Sequence, residues 1–455
     1  MFRNLTISAL LLFSATAGLA QGEATLYRTI KENYETKADS MVNAFIESFM
    51  VKNKGVFNDK YQQFADNAYW TQAHAMDVIV YCYERHKEDN KTLANKYKSY
   101  MTLWYNNKAN NYAGASTSDG TYRMFENPFT DDMCWITLTL LHMYEATGTA
   151  KYYTAAKNIF DQYIIKRATE DAETGGLWLP WNTNGDGDGP NACTQSPATL
   201  IAAKLYQKSN QEKYLDYAKK LYAYTSKKIV KADYRVEEPP LTYTQGTFGE
   251  ACRILHHVTD ESSAIKAKYK NLAFQYINYA FTSGRCTNGQ NILRNEGTNG
   301  DQSIFKAVLI PYAVNFVLDP DMPISNRKTI ADLIQKNTKT LYTNLNWDRY
   351  PIVFCNFDWT KPWTGEDKDA SMGAMCSGTS LLENTARMQK AITENYERYQ
   401  QEQQDAIEAI PAAEIAVNNY GIYTIDGRQV RTPWQGIDNL PKGLYIINGK
   451  KVLVR

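Results

Sequence analysis

A repeat with an offset of 62 residues is the strongest constraint that this sequence places on its fold. Residues 144–160 align with residues 206–222 without a gap, so that Lys151-Tyr152 falls on Lys213-Tyr214. A looser copy runs over residues 255–276. In each unit, apolar residues recur at helical spacing on both sides of a short polar turn. The chain is therefore predicted to repeat a helical hairpin.

The length of this unit decides between the architectures that such a repeat can build. A unit of about 50–60 residues, used about six times, would consume residues 25–400. That count predicts an all-α fold, a closed (α/α)6 barrel in which helical hairpins form a toroid. An open solenoid is the competing architecture, but its repeats are usually shorter and more uniform. In a barrel, we expect the functional residues in loops just before strongly apolar helices.

The first 20 residues have the pattern of a secretory signal peptide. Arg3 supplies the positive charge, Leu5–Phe13 is a short apolar stretch, and Gly18-Leu19-Ala20 places small residues before a cleavage point at Gln21. The apolar stretch is too short to span a bilayer comfortably, so no integral membrane span is expected. We therefore predict an exported protein, located in the periplasm, on the cell surface or outside the cell. A retained apolar N-terminus is the alternative.

The C-terminus changes character after residue 410, which separates the predicted barrel domain at residues 21–405 from a β module at residues 411–455. Asp426-Gly427 and Asn448-Gly449 stand between short runs of β-forming residues, and both dipeptides favour hairpin turns. The segment Gly443–Arg455 resembles the C-terminal sorting modules of secreted Bacteroidetes proteins. A secretion or sorting tail is thus predicted, with a plain appended hairpin as the alternative.

Charge and motif content exclude several classes of function. The 50 basic and 49 acidic residues become 49 of each once Arg3 is removed, which argues against a nucleic-acid-binding protein. The mean hydropathy of −0.51 argues against a polytopic membrane protein. The five histidines and seven scattered cysteines lack the spacings of zinc sites, and neither a Gly-x-Ser-x-Gly elbow nor a P-loop occurs. No metal or other cofactor is expected, and the cysteines are expected to be small buried side chains.

The dipeptide Asp131-Asp132 is the candidate catalytic centre. Pro128 breaks the preceding segment and Thr130 is a predicted N-cap, so both carboxylates open an apolar helix. The helix dipole favours ionised carboxylates there, while their mutual repulsion raises one pKa relative to the other. A retaining glycosidase uses this asymmetry, with one ionised nucleophile and one protonated acid. Aspartate in a first helical turn is, however, common without any catalytic role.

Further motifs, in the same order along the chain, resemble glycoside hydrolase family 76, the α-1,6-mannanases. Besides Asp131-Asp132-x-x-Trp135, the matching segments are Gly175-Gly176-Leu177-Trp178, Asn191-Ala192 with Ser196-Pro197-Ala198, Tyr243-Thr244-Gln245-Gly246, and Gly300-Asp301 with Phe305-Lys306. Ser196 and Ala307 depart from the family pattern, which leaves the details of the sugar subsites open. The resemblance extends over roughly residues 35–390.

The resemblance implies an (α/α)6 fold and retaining, endo-type hydrolysis of α-1,6-mannosidic linkages without a cofactor. It implies Asp131 as the nucleophile and Asp132 as the general acid/base. The expected partner is an α-mannan polysaccharide or oligosaccharide, bound by a monomer. Two alternatives stay open: a non-catalytic mannan- or glycan-binding protein on the same scaffold, and a mannosyl transglycosylase.

Seven further residues are candidates for substrate binding. Aromatic faces stack on sugars, and amides can pair with vicinal hydroxyls. The candidates are Trp178, Trp181, Asn191, Tyr243, Gln245, Phe305 and Lys306. Taken singly, each could equally have a structural role. Trp70 and Trp135 are interpreted as core residues, and Asp301 and Lys306 as a local ion pair.

The segment 182–189 has part of the pattern of a calcium-binding loop. Cys193, however, stands where such a loop needs a bidentate glutamate. A Gly-Asp loop at the rim of the site is therefore the preferred interpretation, and calcium binding stays open.

Overall fold

The computed structural model describes residues 21–63, 69–111, 125–183, 189–237, 241–408, 421–431, 440–447 and 450–454. The predicted signal peptide, the centre of the 182–189 loop and the Asn448-Gly449 turn lie outside these residues. The chain divides into two compact units. One comprises residues 28–391, and the other comprises residues 1–27 with 392–455.

Residues 28–391 are mainly helical. The helices are α1 (Glu35–Phe49), α2 (Tyr69–His86), α3 (Lys91–Asn111), α4 (Thr130–Thr147), α5 (Ala150–Ile159), α6 (Ala192–Ser209), α7 (Glu212–Lys228), α8 (Thr242–Val258), α9 (Ser263–Thr282), α10 (Phe305–Leu318), α11 (Ile324–Thr343) and α12 (Met372–Glu408). The last of these continues beyond the unit, which includes its residues up to Ala391.

Even-numbered and odd-numbered helices occupy different layers. Helices α2, α4, α6, α8 and α10 pack against one another in succession, and each also packs against the odd-numbered helix that follows it. Burial agrees with this arrangement: 13 of the 18 side chains of α4 are buried, against 6 of the 20 in α9. A helix that is surrounded buries side chains on all sides, whereas an outer helix buries only the face that packs on the inner layer. The even-numbered helices therefore form an inner ring.

Helix α12 closes this inner ring between α10 and α2. Its Ser380 hydroxyl donates to the carbonyl of Ala307 in α10 (3.1 Å), and its Glu383 accepts a hydrogen bond from Arg85 Nε in α2 (2.7 Å). Gln389 of α12 accepts from the backbone N–H of Tyr34, at the start of α1 (3.1 Å). The first and last helices thus form the sixth hairpin. The unit is the predicted (α/α)6 barrel and not an open solenoid.

The 62-residue offset applies to whole elements as well as to residues. Adding 62 to the bounds of α4 gives the bounds of α6, and adding 62 to the start of α5 gives the start of α7. The turns agree too, because Gly148 (φ 66°) and Asn210 (φ 52°) both end their helices in the left-handed conformation. Glycine and asparagine tolerate this backbone best, so the turn geometry is kept although the residue differs.

Two short hairpins interrupt the helices. Strands β1 (Met50–Val51) and β2 (Val56–Phe57) pair after α1, and β3 (Thr169–Asp171) pairs with β4 (Gly176–Trp178) before α6. A Cβ on Gly176 would lie 2.5 Å from the backbone oxygen of Lys220, so glycine allows β4 to pack directly on α7. The Gly-Gly-Leu-Trp motif therefore fixes the position of this hairpin on the barrel.

The second unit contains a four-stranded antiparallel sheet. Its strands are β5 (Ile422–Thr424), β6 (Gln429–Arg431), β7 (Gly443–Ile447) and β8 (Lys450–Val454), in the order β6-β5-β7-β8. Gly427 (φ 86°) lies in the turn between β5 and β6, as the Asp-Gly signal predicts. Ile422, Leu440, Tyr445 and Ile447 form a small apolar core. The predicted β strands are thus present, and β6 is an additional one.

Two predictions made from the composition, on the cysteines and on membrane spans, can be compared with the structure. Six cysteine side chains are buried with free thiols: Cys82, Cys134, Cys252, Cys286, Cys355 and Cys376. Within the part of the chain that the structure describes, no helix is both long and apolar enough to cross a membrane.

The ion pair between α2 and α12 yields a prediction about stability. Arg85 and Glu383 are both buried, and Arg85 also donates to Asp39 of α1 (2.5 Å). Replacing Glu383 by Gln leaves much of the Arg85 charge uncompensated, which costs about 3–5 kcal/mol for buried pairs. We expect Glu383→Gln to lower the midpoint of thermal unfolding by several degrees in calorimetry. Glu397→Gln, at an exposed position of the same helix, is the control and should leave the midpoint unchanged. Equal midpoints for both variants would contradict the prediction.

Candidate active site

A cleft of about 410 Å³ opens where the inner helices begin. It is lined by Trp70, Phe129, Asp131, Asp132, Trp135, Trp181, Cys193, Tyr243, Asp301 and Phe305. The lining combines three carboxylates with six aromatic side chains. This composition suits a ligand that offers both apolar faces and hydroxyl groups.

The lining residues occupy equivalent positions in the repeat. Trp70, Asp131, Cys193 and Tyr243 are each the second residue of an inner helix, and Phe305 is the first residue of α10. Inner helices joined through antiparallel outer helices all run in one direction, so their first turns meet at one end of the barrel. Cys193 occupies the position of Asp131 shifted by the 62-residue offset. The repeat itself could therefore have identified Cys193 as a cleft residue.

The start of α4 is held by contacts to its backbone. Phe129 is the N-cap residue and Thr130 is the first helical residue, so the prediction of Thr130 as N-cap was wrong by one position. The Thr130 N–H donates to the carbonyl of Trp181 (2.7 Å), and its hydroxyl accepts from Arg167 (3.0 Å). Arg167 also donates to the carbonyl of Pro128 (3.1 Å). These bonds fix the direction in which the following two aspartates leave the helix.

Asp132, the second aspartate of this first turn, has two like charges nearby. Burial raises the pKa of Asp132 well above its ordinary value, and the negative charges of Asp131 and Asp301 raise it further. The helix dipole favours an ionised carboxylate at this position, but burial and two like charges outweigh it. Asp132 therefore keeps its proton to higher pH than an ordinary aspartate does. The division of roles between the two aspartates stays a prediction.

Asp301 lies at the cleft and not in the predicted pair with Lys306. Its carboxylate accepts a hydrogen bond from Trp70 Nε1 (2.9 Å), and it lines the cleft beside Asp131 and Asp132. Trp70 and Trp135, interpreted from the sequence as core residues, also line this cleft, although Trp135 is only 3% exposed. The Gly-Asp motif signals that Asp301 matters, but its partner Trp70 is 231 residues away and is revealed only by the fold.

Two aromatic groups flank the carboxylates. Tyr243 stacks on Phe305, with ring centroids 4.4 Å apart, and meets Trp135 edge-on at 5.6 Å. On the loop side, Trp181 stacks on Phe129 at 5.9 Å. Of the seven candidate substrate residues, the structure brings Trp181, Tyr243 and Phe305 to the cleft.

Trp178 and Asn191 lie behind the cleft, where their polar atoms bond the backbone. Trp178 Nε1 donates to the carbonyl of Gly189 (2.9 Å). Asn191 is the N-cap of α6: its Oδ1 accepts from the N–H of Thr194 (3.1 Å), and its Nδ2 donates to the carbonyl of Leu179 (2.9 Å). Together they connect β4 and the loop after it to the start of α6.

Gln245 is also enclosed by backbone. Its Oε1 accepts from the N–H of Val236, and its Nε2 donates to the carbonyls of Tyr234 (3.1 Å) and Tyr276 (3.2 Å). The side chain is 1% exposed and links α8 to the loop before it and to α9.

Lys306 lies in a second buried layer with Glu296. Its Nζ donates to the carbonyl of Phe357 (2.6 Å) and stands 4.1 Å from the ring centroid of Trp359. Burial lowers the pKa of Lys306 to about 8 and raises the pKa of Glu296 to about 7, while each charge partly offsets this for the other. Glu296 accepts from both the N–H and the hydroxyl of Thr242 (2.6 Å each). This layer supports the start of α8, directly before Tyr243.

A pair of carboxyl groups at the base of an aromatic cleft, in an (α/α)6 barrel, is the arrangement expected of a glycoside hydrolase. The chain belongs to glycosyl hydrolase family 76, whose family model matches residues 29–395. This confirms the resemblance drawn from the motifs.

Solved structures share the fold at low sequence identity. One is an inactive variant of the α-1,6-mannanase GH76A of Salegentibacter sp. HEL1_6 in complex with α-1,6-mannotetrose, which is 24% identical and has a TM-score of 0.64. The match covers 78% of this chain and 100% of that chain. Another is the family 76 mannosidase Bt3792 of Bacteroides thetaiotaomicron, which is 18% identical with a TM-score of 0.61, covering 80% of this chain and 100% of that one.

A curated relative matches over a smaller part of the chain. A Schizosaccharomyces pombe protein assigned by name to the mannan endo-1,6-alpha-mannosidases is 20% identical over 203 residues. The match covers 39% of this chain and 46% of that protein, so the chain spans about half the length of this relative.

The contacts of Asn191 give a prediction that separates structure from substrate binding. Asn191→Ala removes an N-cap and the bonds from Nδ2 to the carbonyls of Leu179 (2.9 Å) and Gly189 (3.2 Å), which we expect to cost about 1–3 kcal/mol of unfolding free energy. Because these bonds use both ends of the amide, KM for a mannan substrate should change less than twofold. Calorimetry and steady-state kinetics measure the two effects.

The matched control is Asn90→Ala, which removes the side-chain cap of α3, an outer helix (Asn90 Oδ1 to the N–H of Leu93, 3.0 Å). It should lower the stability without altering KM. A tenfold rise in KM for Asn191→Ala alone would assign this amide to substrate binding.

Proposed function

We propose that the protein is a retaining endo-α-1,6-mannanase that cleaves the backbone of α-mannan. One observation carries the proposal: two adjacent carboxyl groups open α4 at the base of the cleft, and the pKa of the second is raised by burial and by its neighbours. The relatives add support. Inactive variants of the Salegentibacter α-1,6-mannanase, with two consecutive aspartates replaced, were solved with α-1,6-mannotetrose and α-1,6-mannotriose.

In the proposed reaction, the Asp131 carboxylate attacks the anomeric carbon of the mannosyl unit. Asp132 simultaneously transfers its proton to the departing glycosidic oxygen, so that a mannosyl ester of Asp131 and a shortened chain are formed. Asp132, now ionised, then takes a proton from water as that water attacks the same carbon. The ester bond breaks, Asp131 returns to a carboxylate, and the product keeps its anomeric configuration.

The environment supports this division of roles. A general acid must be protonated at the working pH, and the raised pKa of Asp132 provides this. A nucleophile must be ionised, and the N-terminus of α4 favours a negative charge on Asp131. Asp301 adds negative charge near Asp132 and so keeps the acid protonated to higher pH.

The aromatic side chains are proposed to bind the sugar units. Trp181, Tyr243 and Phe305 offer flat faces at the cleft, and Trp70 and Trp135 extend this surface. Trp178, Asn191, Gln245 and Lys306 are instead proposed to act indirectly, because their polar atoms hold the backbone that carries the cleft walls. A neutral polysaccharide matches the equal numbers of acidic and basic residues after residue 20.

We further propose export of a monomeric protein by the signal peptide at residues 1–20. In this division of the chain, residues 21–405 form the catalytic domain, and residues 411–455 direct sorting to the periplasm, the cell surface or the medium. The intact mass of the exported protein tests this, since it should correspond to a chain that starts at Gln21.

Replacement of either aspartate tests the proposed chemistry. We expect Asp131→Asn and Asp132→Asn each to lower kcat on α-1,6-mannan by at least about 100-fold, since each removes a group that acts on the reacting atoms. Proton NMR of early wild-type products should show the α-anomer first, as retention requires. Asp348→Asn, at an exposed carboxylate, is the charge-matched control and should keep wild-type turnover.

The same assays separate the rival functions. Wild-type turnover in both aspartate variants would refute the assignment of the catalytic pair. Binding of mannan without any turnover by the wild-type protein would favour a glycan-binding protein. Products elongated by added acceptor sugars would favour a transglycosylase.

Asp301→Asn tests the electrostatic role of the third carboxylate. Asparagine can still accept the hydrogen bond from Trp70, but it removes a negative charge that raises the pKa of Asp132. The pKa of Asp132 should fall, so the protonated acid should be lost at a lower pH. We therefore expect the alkaline limb of the kcat/KM profile to move to lower pH, with Asp348→Asn leaving it in place. An alkaline limb that stays or moves to higher pH would contradict this role.

A further inference from the structure

Two adjacent histidines and an aspartate converge at the end of α8, far from the catalytic cleft. His256 Nε2 lies 3.8 Å from Asp321 Oδ2, and His257 Nδ1 lies 3.5 Å from the same oxygen. The three residues each offer a ligand atom within 4.8 Å of the others. Neighbouring side chains on a helix normally diverge by about 100°. Their convergence on one carboxylate oxygen therefore calls for an explanation.

In each imidazole, the nitrogen that does not approach Asp321 already has a hydrogen-bond acceptor. His256 Nδ1 lies 2.9 Å from the carbonyl oxygen of Lys266, which can only accept, so Nδ1 carries the hydrogen. His257 Nε2 lies 2.6 Å from Asp319 Oδ2. The same oxygen of Asp319 accepts a hydrogen bond from Arg253 (2.8 Å), so it is an acceptor and His257 Nε2 carries the hydrogen.

The hydrogen bonds to Lys266 and Asp319 leave each imidazole with one nitrogen lone pair, and that nitrogen is the one that approaches Asp321. In neutral imidazoles, the hydrogens at His256 Nδ1 and His257 Nε2 make His256 Nε2 and His257 Nδ1 the unprotonated atoms. Histidines that bind metals almost always donate their other N–H to a carboxylate or a backbone carbonyl, as both rings do here.

We propose that His256, His257 and Asp321 form a binding site for a divalent transition metal of the Zn²⁺ or Co²⁺ type, with water completing the coordination. Two imidazole nitrogens and one carboxylate oxygen form a donor set that these ions accept. Ligand atoms about 2.1 Å from a tetrahedral metal lie about 3.4 Å apart, close to the two separations to Asp321. The Asp321 side chain is 58% exposed, so an ion can reach it.

The position of the site assigns it a structural role. Asp321 lies in the loop between α10 and α11, so a bound metal would join this loop to the C-terminal end of α8. The carbonyl end of a helix also attracts cations. Fourteen residues of α8 separate His257 from Tyr243, which corresponds to about 21 Å along the helix. Hydrolysis in the cleft should therefore not depend on the metal.

Metal titration of an untagged, chelator-treated full chain tests the proposal. With Co²⁺ alone, we expect one equivalent to bind and to produce visible d–d absorption, and Zn²⁺ to displace it. Zn²⁺ should also raise the thermal midpoint of the wild-type protein. Metal affinity should fall at least tenfold in His256→Gln and in Asp321→Asn, with mannanase activity retained. Asp332→Asn, an exposed carboxylate of α11, is the charge-matched control and should bind like the wild type.

Two results would overturn the proposal. One is the absence of stoichiometric Co²⁺ or Zn²⁺ binding at micromolar concentrations in the folded wild-type protein. The other is stoichiometric binding with the same affinity in both variants, which would place the metal elsewhere in the chain. Because activity is measured separately, a failed metal site leaves the proposed hydrolysis standing, and an inactive enzyme leaves the metal site standing.

Discussion

The closure of the helical ring is the constraint on which the rest of the barrel depends. The inner helices bury most of their side chains, so each needs a neighbour on both flanks. The ring closes only because α12 lies between α10 and α2, and the buried pair of Arg85 and Glu383 marks that junction. Such a pair adds little net stability over apolar residues, but breaking it is costly. Loss of either partner would therefore destabilise the junction between α2 and α12.

Closure also determines where the chemistry can occur. With the inner helices parallel, their first turns meet at one end and place six aromatic rings around a carboxyl pair. At this point two physical effects oppose each other. The helix dipole favours ionised carboxylates, whereas burial and the charges of Asp131 and Asp301 favour a proton on Asp132. The two aspartates share one helical turn, so the charge of Asp131 acts directly on Asp132.

Patterns that depend on the backbone were predictable from the sequence. The offset of 62 between residues 144–160 and 206–222 identified whole hairpins, and the Asp-Gly turn identified a β-hairpin in the C-terminal unit. The aspartate pair was recognisable because two carboxylates at a helix start are set by local sequence and by the family motif.

The directions of individual side chains were not predictable. Asn191 and Gln245 stand in pre-helix segments like the cleft residues, but their amides bond backbone groups that come close only in the folded chain. Asp301 finds Trp70 across 231 residues, and a local ion pair with Lys306 was the simpler interpretation from sequence. Local sequence cannot show which side of a loop faces a cleft. The sugar-binding roles of Trp181, Tyr243 and Phe305 therefore stay predictions.

The hairpin formed by the first and last helices has a consequence for the connectivity of the barrel. Because Tyr34, at the start of α1, bonds Gln389 of α12, the polypeptide enters and leaves the ring at neighbouring points. The packing of the six hairpins therefore does not depend on which of them comes first along the chain. A circularly permuted chain that begins at another outer loop, with the two ends of the barrel joined by a linker, would therefore form the same ring with its hairpins in a different order along the sequence.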